Sequence, residues 1–522
     1  MTPIAFYSWQ LFALALVSAQ PASEKISWGQ CDQLYIDISS VPIECGTLIV
    51  PLDYTDPNNN RTHILDVIKT RAQGEHFKGT IVLSFGGPGV NAFANFVSSI
   101  PVMRKLTGDQ HDLVTFDQRG ADNRGLRFSC YDSDEERLLA TSPHPLCIFP
   151  ESSDTAIGRL WAEGKGLADR CFEKMKDIGE FVGTASTARD VMQIVDALDE
   201  TPLLNFYGMS YGSALGTTIA AMFPERIGSM VLDANLNPHE YYNSFVNPEM
   251  VTDADAAFTA FLSECIAAGS AQCALASTGL SALDLEITIR DLIESTKYNP
   301  IPFPPETSQF DALWGGSVLD FSAFKNMIAL ALYSPTSFPV MASGLAGLMQ
   351  GNMTAMAAWR KLLSGARYGF EVEALQGIRC SDHRKRATSV EEVLPEIEEA
   401  RRISWYGGNA AFDHSMFTMP CANWRFDAKE RYEGNFQVKT RNPVLLVGTT
   451  YDPVTPMVSA RNVSATFEGS AVLEVKGFGH VTTAHPSECA NKIMRDYFAN
   501  AVLLEPVMKC EPDQKVFDLS KG

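Results

Sequence analysis

The chain has 522 residues, of which 45% are hydrophobic and 20% are charged, and its formal net charge is −20. This length and composition are sufficient for one large core, or for one core with an inserted module. The acidic excess argues against nucleic acid as a partner, because phosphates would be repelled.

An apolar segment lies at the N-terminus, over residues 4–19, and ends in Val17-Ser18-Ala19. It is short for a membrane-spanning helix, and small residues at its end are typical of a signal-peptide cleavage site. We therefore expect residues 1–19 to be a secretory signal, and the mature protein to be extracellular and without a membrane partner. A membrane anchor is the alternative interpretation, because no Lys or Arg precedes the apolar segment.

The following residues alternate between strand and helix patterns. A hairpin is predicted at 45–54 and 63–71, and residues 121–183 are expected to be an excursion that ends in a helix. Further strands are predicted at 80–84, 112–117, 203–207 and 230–233, and helices at 187–198 and 213–223. Thr187 and Asp190 resemble a capping box for the first of these helices. The alternation is typical of a mostly parallel sheet with helices on both faces.

The alternation stops near residue 236 and resumes with apolar runs at 443–448 and 471–475. We expect an α/β fold in two core parts, 20–235 and 436–522, with a large, mainly helical lid at 236–435. A lid at this point would exclude water and shape the pocket. A separate domain with its own function is the alternative.

Gly208-Met209-Ser210-Tyr211-Gly212 fits the G-x-S-x-G pattern of a nucleophile elbow. A serine hydroxyl is a weak nucleophile, so it has to be held on a tight strand-to-helix turn beside a base. The glycines allow the backbone to fold that tightly. Because the pattern also occurs by chance, the predicted strand before it and helix after it carry the interpretation of Ser210 as the nucleophile.

Two later strand ends provide candidate partners for this serine. Asp452 follows the first apolar run after the insertion, and His480 follows the second in a glycine-rich turn. An acid and a histidine that follow the serine in this order are typical of hydrolases with such an elbow. Asp233 is the alternative acid, although we expect it to bond backbone amides, and His485 is the alternative base.

Phe85-Gly86-Gly87-Pro88-Gly89 follows the strand predicted at 80–84. The usual oxyanion hole combines one amide from such a loop with the amide after the nucleophile, so Gly87 and Tyr211 are the candidates. A plain tight turn is the alternative.

Eleven cysteines behind a secretory signal indicate disulfides. Short separations favour Cys31–Cys45, Cys265–Cys273 and Cys489–Cys510, and the longer pairs Cys130–Cys171 and Cys380–Cys421 leave Cys147 unpaired. The sequence lacks Cys-x-x-Cys or zinc spacing, so we expect no metal and no other cofactor. Glycosylation acceptor triplets begin at Asn60, Asn352 and Asn462.

Together these segments resemble secreted α/β-hydrolase peptidases of the tripeptidyl aminopeptidase type, which are relatives of prolyl aminopeptidase. The resemblance covers almost all of the mature chain and implies an α/β-hydrolase fold with Ser210, Asp452 and His480 as the catalytic triad. It also implies a structural role for Arg119 near the site. It rests on residues 45–54, Gly86-Gly87-Pro88-Gly89, Asp117-Gln118-Arg119-Gly120, the serine motif, Asp452-Pro453-Val454-Thr455-Pro456, Gly479-His480, and the pair Cys489 and Cys510.

The implied activity is the release of short N-terminal units from peptides through an acyl-enzyme. Phe85 stands where members of the family often have His or Asn, so the substrate stays open between a peptide and a small ester. An esterase, lactonase or biosynthetic tailoring hydrolase is the alternative, and an inactive binding protein is a third hypothesis. An exopeptidase must bind a free α-amine, but nothing in the sequence ranks Asp382 or Glu264 of the predicted lid for that role. The oligomeric state is not indicated.

Overall fold

The computed structural model describes residues 25–121, 125–141, 147–303, 318–365, 372–408, 410–503 and 505–518. The predicted signal at 1–19 lies outside these residues. The strands are β1 Ser27–Gly29, β2 Glu44–Pro51, β3 Thr62–Thr70, β4 Thr80–Ser84, β5 Asp112–Phe116, β6 Leu204–Met209, β7 Ile227–Asp233, β8 Ile301–Pro302, β9 Val318–Leu319, β10 Leu445–Tyr451, β11 Ala471–Phe478 and β12 Val507–Cys510. The helices are α1 Gln33–Ile38, α2 Ala92–Thr107, α3 Asp134–Thr141, α4 Ala156–Met175, α5 Thr184–Leu198, α6 Tyr211–Met222, α7 Pro238–Asn243, α8 Ala254–Ala268, α9 Ala282–Ser295, α10 Phe321–Ala331, α11 Phe338–Met349, α12 Met353–Gly365, α13 Val372–Asp382, α14 Leu394–Ile403, α15 Ala410–Asp413, α16 Met419–Ala422, α17 Met457–Ser464 and α18 Glu488–Asn500.

The central sheet has ten strands in the order β1-β2-β3-β5-β4-β6-β7-β10-β11-β12. Its first part is antiparallel, with the predicted hairpin present as β2 and β3. From β5 onward the neighbouring strands run parallel. The predicted mostly parallel sheet is therefore confirmed. The carboxyl ends of β6, β10 and β11 lie at one edge, where side chains from these three strands can meet.

Alternate residues of the buried strands pack on opposite faces of the sheet. On β4, Ile81 and Leu83 belong to the cluster formed with α2 and α18, whereas Val82 belongs to the cluster formed with α5 and α6. This period of two is what a strand requires, because successive side chains point to opposite sides. Helices cover both faces, as the sequence predicts.

The predicted capping box at the start of α5 is wrong. The helix begins earlier, at Thr184, and the Thr187 hydroxyl donates to the carbonyl oxygen of Gly183. Asp190 instead binds the guanidinium of Arg119, with N–O distances of 2.5 and 2.8 Å. Arg119 is fully buried, so it needs a carboxylate partner, and this requirement decides the role of Asp190.

Arg119 also donates to the carbonyl oxygens of Pro51 and Leu52, at 2.6 Å each. It therefore joins the end of β2 to α5. This arrangement agrees with the structural role that the family resemblance implies.

The segment between β7 and β10, called the insertion below, contains α7 to α16 and the short antiparallel pair β8 and β9. Its buried apolar side chains, which include Phe258, Phe324, Phe338 and Trp359, form one cluster with residues of the 147–160 segment and with Phe478 of β11. A core of this kind stabilises the insertion as a packed layer. The pair β8 and β9, with two residues in each strand, was not predicted.

Five disulfides join the described cysteines, and they are the five pairs expected from the sequence: Cys31–Cys45, Cys130–Cys171, Cys265–Cys273, Cys380–Cys421 and Cys489–Cys510. Cys147 is buried and carries a free thiol. Asn60, Asn352 and Asn462 are exposed at the surface.

Within the described ranges, no single helix is long and apolar enough to cross a membrane. Phe321–Ala331 and Pro335–Met349, which are bent by 119° relative to each other, meet the length and composition criteria only as a pair.

Candidate active site

Ser210 occupies the turn between β6 and α6, with φ 56° and ψ −122°. The two motif glycines explain how the chain reaches this conformation. A Cβ atom on Gly208 would lie 2.2 Å from the carbonyl oxygen of Gly212, and one on Gly212 would lie 2.4 Å from that of Ser84. No side chain fits at either position, so the glycines permit the close packing of strand, turn and helix around the serine.

His480 lies between Ser210 and Asp452. Its Nε2 atom is 2.9 Å from the Ser210 Oγ, and its Nδ1 atom is 2.9 Å from the nearer carboxylate oxygen of Asp452. The three residues come from the ends of β6, β10 and β11, and 270 residues separate the serine from the histidine. The hydrogen bonds link them in the order Ser210, His480 and Asp452, which is the arrangement of a nucleophile, its base and the acid that orients the base.

The Asp452 carboxylate is fully buried and held from two sides. One oxygen accepts the amides of Val454 and Thr455 at 2.8 and 2.9 Å. The other accepts the Thr455 hydroxyl at 2.6 Å and faces the imidazole. Thr455 had no predicted role, because only the folded turn places its hydroxyl on the acid.

Asp233 and His485, the alternative acid and base, form hydrogen bonds outside the Ser210–His480–Asp452 array. Asp233 accepts hydrogen bonds from the Tyr207 hydroxyl and from the amide and hydroxyl of Thr482, two residues after the base. Burial raises the pKa of Asp233, and the hydroxyl bonds oppose this effect. His485 accepts the Phe478 amide at 3.2 Å. The expected amide-bonding role of Asp233 is therefore confirmed.

The glycine loop lies directly against the elbow. A Cβ atom on Gly86 would be 3.0 Å from the Cβ of Ser210 and 3.3 Å from the amide nitrogen of Tyr211. Gly87 lines the same cavity as Ser210, and Tyr211 is the first residue of α6. Amides at the first turn of a helix have no partner within the helix, so the Tyr211 amide is available to a substrate oxygen.

A cavity of about 550 Å³ opens over Ser210 and His480. This volume is in the usual range for small-molecule and short-peptide sites. Its walls are mostly apolar and come from the glycine loop, α2 and the insertion; they include Phe85, Val102, Leu330, Leu375, Phe412 and Phe417. Two charged residues of the insertion, Arg379 and Asp413, line it as well.

Two other acids of the insertion, Asp382 and Glu264, lie away from the cavity. Asp382 is buried and accepts hydrogen bonds from the Thr184 hydroxyl and amide and from the Tyr241 hydroxyl. Glu264 lies on α8, and neither residue lines the cavity. Asp413 was missed because no local motif marks it; it precedes a turn of π-helix, His414–Thr418, and such turns are frequent at functional sites.

The insertion also contacts the loops that carry the acid and the base. The His480 amide donates to the Tyr333 carbonyl oxygen at 2.9 Å, and the two rings meet edge to face. A Cβ atom on Gly408 would lie 2.5 Å from the carbonyl oxygen of Pro453, the residue after Asp452. The insertion is therefore in direct contact with the turns that carry His480 and Asp452.

Two family models match the chain. The alpha/beta hydrolase fold model matches residues 79–264, which contain Ser210, and the TAP-like protein model matches residues 409–510, which contain Asp452 and His480.

Curated relatives match over most of their length. "Serine protease Hip1" of Mycobacterium tuberculosis (strain ATCC 25618 / H37Rv) is 26% identical over 89% of this chain and 87% of its own. "Tripeptidyl aminopeptidase" of Streptomyces coelicolor is 25% identical over 92% and 85%. Among solved structures, an acetylester hydrolase from Corynebacterium glutamicum aligns with a TM-score of 0.35 and 11% identity, over 84% of this chain and 91% of that one. The sheet and the family models show that this chain has the α/β-hydrolase fold, and the curated relatives show that it is similar to proteins named as a serine protease and a tripeptidyl aminopeptidase.

Proposed function

We propose that the protein is a secreted serine peptidase that removes short N-terminal units from peptides, with Ser210 as nucleophile, His480 as base and Asp452 as orienting acid. The observation that carries the proposal is the 2.9 Å contact between His480 Nε2 and Ser210 Oγ, with the other ring nitrogen on a buried carboxylate. A hydroxyl in this setting becomes nucleophilic as its proton moves to the imidazole.

The reaction proceeds in two acyl transfers. The Ser210 oxygen bonds to the carbonyl carbon of the scissile bond while its proton passes to Nε2 of His480, and Asp452 stabilises the resulting imidazolium. The C–N bond then breaks, and the leaving amine takes the proton from Nε2. Water repeats the sequence on the acyl-enzyme and regenerates the serine. The Gly87 and Tyr211 amides stabilise the oxyanion, and losing one such donor costs about 3 kcal/mol of transition-state stabilisation.

Peptides are favoured as substrates by the curated relatives, which are named as a serine protease and a tripeptidyl aminopeptidase. Secretion is favoured by the five disulfides, because such bonds persist in oxidising compartments. Residues of the insertion line the cavity beside the triad, where they can contact the N-terminal unit of a bound peptide.

Two measurements test the proposal. A fluorophosphonate probe should label the wild-type protein and the control Ser263→Ala, which changes an exposed serine on α8, but not Ser210→Ala. A mixed peptide library analysed by mass spectrometry should show the loss of N-terminal units of fixed length. Internal cleavage would contradict the exopeptidase assignment, and the absence of labelling in folded protein would contradict the serine hydrolase itself.

A further inference from the structure

Asp413 is a buried carboxylate that lines the active-site cavity. Only 5% of its surface is exposed, and it lines the same cavity as Phe412, Phe417, Ser210 and His480. In the described part of the chain it forms no hydrogen bond and no ion pair. It is the one carboxylate among the described residues that line this cavity.

A carboxylate in this position is costly for the folded protein. An ionised group that leaves water without a partner loses its hydration and gains nothing in return. Burial raises the pKa of Asp413 to about 6, and the charge of Arg379 only partly opposes this. A residue with such a cost and no partner within the protein is suited to a partner that arrives with the substrate.

Arg379 does not neutralise this carboxylate through direct contact. Its guanidinium lies over the rings of Tyr241 and Phe417, at 5.0 and 4.5 Å from their centres, and contacts the Asn247 side-chain amide. It forms no ion pair with Asp413. Asp413 is therefore left free to bind another cation.

We propose that Asp413 binds the ammonium group of the substrate, and that this group is the free α-amine of the peptide. The inference rests on the proposed peptidase function, because every N-terminal unit carries this amine whatever its side chains. A lysine or arginine side chain offers similar chemistry. In the cavity wall, the ring of Phe417 is already covered by Arg379, so this aromatic face is not available to a side-chain cation. The α-amine is therefore the source that the cavity favours.

The test compares substrates with and without the amine. Ala-Ala-Ala-p-nitroanilide and Ala-Ala-Ala p-nitrophenyl ester are each paired with their N-acetyl form, in the wild type and in Asp413→Asn. We expect the wild type to prefer the free amine in both pairs. Asp413→Asn should lower kcat/KM for the free-amine substrates about 10- to 100-fold, as for a lost hydrogen bond between charged groups, and leave the acetylated substrates within about threefold.

Glu240→Gln is the matched control, because Glu240 is a largely buried carboxyl with a raised pKa that does not line the cavity. It should keep the preference of the wild type. If Asp413→Asn does not fold, the rates of the wild type on free-amine and acetylated substrates still test the amine site.

The outcomes separate the two proposals. Hydrolysis of the esters but of neither anilide means that the peptidase function is wrong, and the ester pair still decides the role of Asp413. Equal rates on free and acetylated substrates, or an equal loss on both in Asp413→Asn, overturn the amine site. N-acetyl-Ala-Lys-Ala-p-nitroanilide serves as a further substrate: if it is cleaved as fast as Ala-Ala-Ala-p-nitroanilide and slowed as much by Asp413→Asn, Asp413 binds a side-chain cation and the amine site is overturned. If the wild type hydrolyses none of the four substrates, both proposals fail.

Discussion

Replacing Asp413 by asparagine should stabilise the folded protein at neutral pH. Burial raises the pKa of this carboxyl from 3.8 to about 6. That difference corresponds to roughly 3 kcal/mol against the ionised form at pH 7. Asparagine has the same shape and no charge, so the variant avoids this cost.

The sign of the pH dependence follows from linkage. Because the folded pKa is higher than the unfolded one, the unfolded chain releases this proton first as the pH rises. The penalty is absent below about pH 4, grows between pH 4 and 6 and is complete at pH 7. The gain in Asp413→Asn should therefore be present at pH 7 and absent at pH 4.

Thermal unfolding of the wild type and the variant at the two pH values measures this effect. We expect Tm to rise by a few degrees at pH 7 and to stay unchanged at pH 4. Glu240→Gln provides a comparison, since burial raises the pKa of Glu240 from 4.5 to about 7 and its penalty at pH 7 is of similar size, roughly 3 kcal/mol. A variant less stable than the wild type at pH 7, or a gain of equal size at pH 4, would refute the reasoning.

Three further changes test other parts of the structure. Asp190→Asn leaves the guanidinium of Arg119 buried without its carboxylate, so the free energy of unfolding should fall by about 3–5 kcal/mol, measured by denaturant titration; a loss below 1 kcal/mol would contradict the role of this pair. Gly479→Ala places a Cβ atom 2.7 Å from a carbonyl of the insertion at a residue with φ 98°. It should lower kcat at least about tenfold through the neighbouring imidazole, and unchanged kcat would show that this turn does not position the base. Replacing Cys380 and Cys421 by alanine removes a cross-link over 41 residues and should cost about 4 kcal/mol, seen as a lower Tm than that of the wild type without reducing agent; an unchanged Tm would contradict it.

The elements around Ser210 were predictable because their signals are local. A buried strand, a glycine-flanked serine and a helix whose residues 211–220 are all buried follow each other within about twenty residues. Asp452 and His480 were predictable for a related reason, since each directly follows an apolar run that forms a parallel strand. In such a sheet the carboxyl ends meet at one edge, so position along the chain is enough to bring these residues together.

Other features depend on contacts between distant segments. Thr187 and Asp190 have the spacing of a helix cap, but Arg119, 71 residues away from Asp190, determines where that carboxylate points. Asp382 and Asp413 are both acids of the insertion, yet hydrogen bonds with Thr184 and Tyr241 occupy the first, whereas the second faces the cavity. Local sequence carries no information on that distinction.

The bond between the His480 amide and the Tyr333 carbonyl has a consequence for how the enzyme can be altered. A displacement of the insertion that widens the cavity entrance also moves the turn that holds the His480 imidazole. Space for bulkier substrates and the alignment of His480 with Ser210 are therefore opposing demands. The insertion therefore cannot be exchanged to change specificity alone. An insertion taken from another hydrolase would have to supply a carbonyl equivalent to that of Tyr333 to restore turnover.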